Sequence, residues 1–232
     1  MEDGIIFIDK PAEMTSFGVV ARVRRILTEK LNSGEEELTA VTHKRRRIKV
    51  GHCGTLDPFA TGLLILVTGK MTKKAMEYTK LDKVYEAELV LGRESTTGDP
   101  EGEKTFISDI VPTQSEVEAA LGLFRGEITQ RPPIFSAIKV NGQRAYKLAR
   151  DGKDVEIPER KVTVYSLDLI DYSYPSLKIR THVTSGTYIR SLAVDIGRVL
   201  GTGAYCQQLR RTKIAEWKIE DAQQLKDFGI VS

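Results

Sequence analysis

The sequence predicts an α+β protein: a mixed, mainly antiparallel central sheet flanked by helices, with a subdomain inserted over residues 130–161. Three observations predict it. Strand-like runs of period two, such as Lys83–Leu91, mix with helix-like runs such as Thr187–Gly201, without the strict β-α-β order of a parallel sheet. The 232 residues are 41% hydrophobic and 29% charged, enough for a sizeable core in an ordinary globular composition. The segment Gln130–Lys161 has a texture of its own, with Pro132-Pro133, an Asn141-Gly142 turn and a basic amphipathic stretch.

Each element follows from local pattern. Ile5–Ile8 is a short apolar strand stopped by Pro11. Thr15 or Ser16 caps a helix to about Leu31, with Val19, Val23, Ile26 and Leu27 on its apolar face and Arg22, Arg24 and Arg25 largely off it. Asn32–Lys49 is polar, charge-segregated and aperiodic, and reads as a loop. Leu63–Lys70 is an apolar strand, followed by a short helix around Thr72–Thr79. In Lys83–Leu91, Tyr85, Ala87, Leu89 and Leu91 share one face and Val84, Glu86, Glu88 and Val90 the other. Arg93–Glu103 is rich in turn formers. Thr113 and Glu116 form a capping box for a helix whose stripe is Val117, Ala120, Leu121 and Phe124, with Gly126 just past its end. Val162–Asp171 and Leu177–Gly186 are strands. The final helix turns Ile189, Leu192, Ile196 and Val199 inward and stops at Gly201.

Composition narrows the function. No apolar run approaches the ~18 residues that span a bilayer, and the acidic N-terminus lacks the pattern of a secretory signal. Two distant cysteines, Cys53 and Cys206, fit a reducing compartment, and the expectation is a cytoplasmic protein. Without Cys-x-x-Cys, and with His43, His52 and His182 scattered, no metal site is expected. The glycine-rich stretches lack the Gly-Lys-Ser/Thr of a phosphate loop and the third glycine of a dinucleotide turn. Net charge is only +3, but basic runs at Thr42–Lys49 and Gly69–Lys74 bracket one glycine-rich stretch, pointing to a polyanionic partner.

That stretch is VGHCGTLDPFATG, Val50–Gly62. Gly51, Gly54 and Gly62 permit close approach of a ligand or another backbone, and Pro58 pushes Asp57 away from helical geometry. Spacing alone leaves two roles open for Asp57, a turn cap or a reactive carboxylate. A buried reactive carboxylate needs a cation to stay ionised, and an arginine can grip both its oxygens. Arg190, in SGTYIRS at the start of a helix, is the candidate partner. Tyr85 lies near the start of its strand and reads equally as a core aromatic.

These residues carry a family resemblance. GHCGTLDPFATGLL resembles the catalytic motif of the TruB family of pseudouridine synthases, whose aspartate is essential. DKPAEMTSF, KVYEAELVLGRESTTGDPEG, RPPIFSAIKVNGQRAYKLAR and SGTYIRSLAVDIGRVLGTGAYCQQLRRTKI are similar to further family blocks, in family order from Gly4 to Ile214. The resemblance implies the pseudouridine synthase fold and isomerisation of uridine in RNA without a cofactor, most directly uridine 55 in the T arm of tRNA. It implies that Asp57 acts as nucleophile or electrostatic catalyst on a flipped-out base and that Arg190 pairs with Asp57. Tyr85 would stack on that base and its hydroxyl would take the C5 proton, Leu209 would form the pocket wall, and His52 would fill the space the base leaves. Gly54 and Thr55 belong to the substrate-binding motif, and Lys10, Arg131, Lys139 and Arg144 would meet phosphates. Residues 130–161 resemble the family's thumb, stiffened at Pro132 and Pro133 and tipped by Asn141-Gly142, which protease should nick and tRNA should protect.

Two departures stand out. The chain ends at Ser232 without room for the family's C-terminal PUA-type module, so residues 1–232 are expected to be one catalytic domain. The 32–49 link is longer than usual, and Lys44, Arg45, Arg46 and Arg47 are expected to supply phosphate contacts. A monomer with no obligatory protein partner is expected. The alternative is a non-catalytic RNA-binding or tRNA-folding chaperone on the same scaffold, against which Asp57, Tyr85 and Arg190 together argue. An RNA-guided synthase is disfavoured, since that relative depends on its PUA-like domain.

Overall fold

The computed structural model describes residues 3–33, 47–136, 138–140, 143–145 and 157–229. The chain divides into two compact units, one of Met1–Leu81 with Arg211–Ser232 and one of Asp82–Arg210.

In the first unit β1 (Gly4–Lys10) runs antiparallel to β3 (Thr61–Thr68), with Ile8 opposite Leu64. A strand that sequence reading left unassigned, β2 (Val50–Cys53), pairs antiparallel with β3. The run Leu63–Val67 is continuous rather than alternating because both its faces are buried. Leu64 and Leu66 join Ile8, Val19 and Val23 on one side, while Leu63, Ile65 and Val67 join Cys53 and Ile214 on the other. The first of these layers is roofed by α1 (Ser16–Ser33), whose Val19, Val23 and Ile26 are buried as the 3.6 period predicts; Val20 is buried with them, and Leu27 only partly. Thr15 is its cap, its Oγ1 accepting the Gly18 N–H at 2.9 Å. The predicted helix at 72–79 begins as a 3-10 turn over Gly69–Lys74 and becomes α2 over Ala75–Thr79.

In the second unit β4 (Lys83–Leu91), β11 (Ser176–Val183), β10 (Arg160–Ser173) and β7 (Gly126–Gln130) lie antiparallel in the order β4-β11-β10-β7. The alternation in β4 is as predicted, Tyr85, Ala87, Leu89 and Leu91 being buried. On β10 packs α3 (Gln114–Gly122), which carries the predicted capping box, with Thr113 N–H donating to Glu116 Oε2 at 2.7 Å. Helix α4 (Ile189–Val199) packs on β4 and is closed by Gly201 at φ 69°. The loop expected at 93–103 begins instead with a strand, β5 (Arg93–Ser95), which pairs with β6 (Lys104–Phe106) and leaves residues 96–103 as the connecting turn. Within the insertion, β8 (Lys139–Val140) pairs with β9 (Gln143–Arg144), Lys139 facing Arg144. Asn141-Gly142, the predicted tip, and the side chains of Lys139 and Arg144 lie outside the described residues, as do Lys44, Arg45 and Arg46.

The chain returns from the second unit to the first along β12 (Ala204–Ile214), which then pairs with β13 (Trp217–Lys218). Sequence reading assigned β12 no strand because its buried positions include a charged one, Arg211. A last short strand, β14 (Gln223–Gln224), adds to β1 in parallel. Among the described residues no helix is long and apolar enough to cross a membrane.

Candidate active site

In the first unit the loop from β2 to β3 carries Asp57, half-buried. Its backbone closes a turn, the Ala60 N–H donating to the Asp57 carbonyl at 3.2 Å. Three side chains from distant points in the chain hold this loop. Ser16, at the first turn of α1 and buried, donates from Oγ to the Leu56 carbonyl at 3.0 Å and accepts the Leu56 N–H at 2.8 Å. On the other side of Asp57, Lys10 Nζ donates to the Pro58 carbonyl at 3.1 Å. Arg211 donates from Nη2 to the Gly54 carbonyl at 3.0 Å and from Nε to the Leu63 carbonyl at 2.7 Å, spanning both ends of the loop. Hydrogen bonds from charged donors contribute about 1.5–3 kcal/mol each, so the loop is held more firmly than its glycine content suggests.

Gly62 is required here. Its φ is +105°, and a Cβ would lie 2.3 Å from the Arg211 carbonyl oxygen, so β12 could not approach a larger residue. Gly54, at φ 97°, supplies the carbonyl that Arg211 grips. Thr55 is exposed. His52 is half-buried on β2, opposite Leu66 in the ladder.

The structure corrects the expectation for Lys10. Its side chain is fully buried, and Nζ donates to the carbonyls of Pro11, Met14 and Pro58 at 2.7, 2.6 and 3.1 Å. An ammonium with three protons so committed has none left for a phosphate. Burial lowers its pKa from 10.5 to about 8, the nearby Asp57 charge pulling it back up and Arg211 pushing further down. Lys10 is thus a buried cation behind the Asp57 loop.

In the second unit Arg190, one residue into α4, is buried with Asp99. Their side chains are 3% and 7% exposed, and Arg190 Nη1 lies 3.1 Å from Asp99 Oδ2. Nη1 also donates to the Thr97 carbonyl at 3.1 Å, and Nη2 to the Phe135 carbonyl at 2.9 Å. Asp99 Oδ1 in turn accepts the Glu101 N–H at 3.0 Å and the Thr97 hydroxyl. Gly98 takes φ +71°, which lets the turn lie against the first turn of α4. The guanidinium therefore has a fixed position before any substrate arrives. A cleft of about 710 Å³ runs along this end of α4, with Thr97, Pro133, Phe135, Arg190, Ser191 and Asp195 on its walls. Burial raises the Asp195 carboxyl above its usual range, with Arg198 drawing it back down.

Tyr85 is buried on β4 opposite Thr181, and Leu209 is buried on β12. Arg131 is exposed and pairs with Glu159, its Nη2 2.9 Å from Oε1, a contact weak enough in water to be exchanged for another anion. Lys10, His52, Gly54, Thr55 and Asp57 thus belong to the first unit, and Tyr85, Arg131, Arg190 and Leu209 to the second. Sequence reasoning missed Ser16 as a loop anchor, Arg211 and Asp99. Asp99 sits in a run of turn formers, Arg211 in a basic strand and Ser16 beside a cap, so each had a sufficient local explanation.

Comparison with known proteins adds independent findings. A model of the TruB family pseudouridylate synthase (N-terminal domain) matches residues 41–189, and one of the tRNA pseudouridylate synthase B C-terminal domain matches 190–230. The chain is 41% identical to tRNA pseudouridine synthase B of Phocaeicola vulgatus, over 98% of this chain and 92% of that one. It is 40% identical to the protein of the same name from Francisella tularensis subsp. tularensis, over 98% of this chain and 71% of the other. Among solved structures, a Cbf5-Nop10-Gar1 complex aligns with a TM-score of 0.69 at 30% identity, over 97% of this chain and 53% of that one. An H/ACA RNP bound to a substrate RNA containing 2'-deoxyuridine aligns at 0.65 and 27% identity, over 99% and 56%. The chain spans about half the length of these solved chains.

Proposed function

The chain belongs to the TruB family of pseudouridylate synthases, which isomerise uridine in RNA, and from that premise we propose that it converts uridine 55 in the T arm of tRNA to pseudouridine with Asp57 as the reacting carboxylate. The observation that carries this reading is the loop around Asp57, pinned through Leu56 by Ser16, through Pro58 by Lys10 and at both ends by Arg211. A turn cap needs no such restraint, whereas a reacting group gains rate from a fixed position.

The reaction breaks the N1–C1′ bond, rotates uracil in place and joins C5 to C1′; C5 gives up its proton and N1 takes one up, directly or through solvent, with no change of oxidation state. The base is first extruded from the folded RNA, at roughly a few kcal/mol. In this reading Arg190 provides the cation that keeps Asp57 ionised, and Asp99 holds Arg190 in the required orientation. Asp57 attacks C1′ or stabilises the charge that develops there. Tyr85 stacks on the flipped base and its hydroxyl oxygen accepts the C5 proton while passing its own to solvent, Leu209 walls the pocket, and His52 fills the gap left in the RNA. Arg131, Lys139 and Arg144 meet phosphates from residues 130–161, acting as a thumb. Lys10 acts from behind the loop through charge. The whole chain works as one catalytic domain, as a cytoplasmic monomer without an obligatory protein partner.

Mapping pseudouridine in an unmodified tRNA transcript tests this. The wild type should form it at position 55, and Asp57→Asn should lose about 1,000-fold or more in rate while still binding the RNA. Wild-type activity at another uridine refutes the assignment of position 55, and an active Asp57→Asn refutes the role of Asp57.

A further inference from the structure

Three contacts join the start of α4 to the first residues of the 130–161 insertion. Ser191 Oγ donates to the Arg131 carbonyl at 2.8 Å, and Arg190 Nη2 donates to the Phe135 carbonyl at 2.9 Å. The third contact is made in the opposite sense, by a side chain on the insertion side. Gln130, the last residue of β7 and 1% exposed, donates from Nε2 to the Tyr188 carbonyl at 3.0 Å and accepts the Tyr188 N–H on Oε1 at 2.8 Å. Tyr188 is the N-cap of α4 and makes no side-chain capping bond of its own. The carboxamide thus takes the place of a neighbouring peptide group and fixes the plane from which the helix starts.

The returning leg of the insertion grips the same residue. Arg160 faces Gln130 across the β7–β10 ladder, and its guanidinium lies 4.8 Å over the Tyr188 ring. Gly186, two residues before Tyr188, leaves room for that guanidinium, since a Cβ there would lie 3.3 Å from both its terminal nitrogens. Outgoing and returning strands therefore hold Tyr188 by its backbone and by its ring, two residues before Arg190.

We infer that Gln130 is a positioning residue, which with Arg160 ties the root of the insertion to the start of α4 and so sets the direction of the Arg190 guanidinium. The inference rests on the role proposed above for Arg190. It makes the root of the insertion and the arginine one mechanical piece, so that displacement of that root by RNA would be felt at the Arg190 guanidinium.

Gln130→Ala and the near-isosteric Gln130→Glu test it. At neutral pH the glutamate keeps the acceptor for Tyr188 N–H and loses the donor. Three quantities are measured: the single-turnover rate at saturating tRNA, tRNA affinity, and amide hydrogen exchange over residues 187–192. We expect Gln130→Ala to lose about tenfold or more in rate, with affinity changed by less than about threefold and exchange accelerated, and Gln130→Glu to fall between. An unchanged rate, or a loss confined to affinity, overturns the inference by reducing Gln130 to a lid anchor. Should Gln130→Ala not fold, the glutamate variant decides alone. Should the wild type form no pseudouridine, the proposed function fails, and exchange at 187–192 then decides whether Gln130 holds the start of α4.

Discussion

Lys10 shows how much of a residue's role lies in its surroundings. Its charge is retained at neutral pH although burial brings its pKa to about 8. The unfolded chain holds the proton up to about 10.5, so below pH 8 both states are protonated and the full penalty of burying the charge, about 3 kcal/mol, weighs on the fold. As pH rises from 8 towards 10.5 the folded state releases its proton first, and stability should climb through that window. Denaturant unfolding at a series of pH values checks this, and Lys10→Met should lack that rise. Asp99 is the complementary case. Its carboxylate is the buried counter-ion of Arg190, and Asp99→Ala would leave that guanidinium short of charge compensation. A loss of about 3–5 kcal/mol is expected, read as a lowered unfolding midpoint. An exposed pair such as Arg180–Glu86 should cost less than about 1 kcal/mol when broken.

At the scale of elements, strand β3 and helix α4 display two uses of glycine. Gly62 opens β3 at φ +105° under the backbone of Arg211, with 2.3 Å to a would-be Cβ, whereas Gly201 closes α4 at φ +69° with nothing within 4 Å. Gly62→Ala should therefore destabilise by more than about 3 kcal/mol, through overlap as well as strain, and disturb the Asp57 loop. Gly201→Ala should cost only about 1 kcal/mol, the conformational term alone. Urea unfolding of the two variants separates these cases. Both glycines stand out in the sequence, but only the second explains itself there, as a helix stop. Likewise Thr113 with Glu116 announced α3, because capping is settled within four residues. Strand β12 did not announce itself, because Arg211 is inward-facing and hydropathy registers it as surface.

For the whole molecule, a net charge of +3 is small, so tRNA affinity should depend on a few placed cations rather than on a general field. Affinity should fall as a power of salt concentration, and Arg131→Ala should reduce the slope of that log–log plot by about 0.7–0.9 while weakening binding to all tRNAs alike. Filter binding at several salt concentrations measures it. An unchanged slope would mean that Arg131 keeps Glu159 as its partner when RNA is bound.

By itself the sequence determined the family, the mainly antiparallel α+β class, the cap of α3, the stop of α4 and the alternating burial of β4. These depend on residues a few positions apart, where periodicity and turn chemistry act directly. Tertiary structure alone decided that Ser16 anchors Leu56, that Arg211 clasps the Asp57 loop, that Asp99 is the buried partner of Arg190 and that Lys10 faces carbonyls. Each of these is a buried polar group answered from 40 to 157 residues away, or, for Lys10, partly so. Desolvation makes such groups find partners, but it leaves no local periodicity to say which ones.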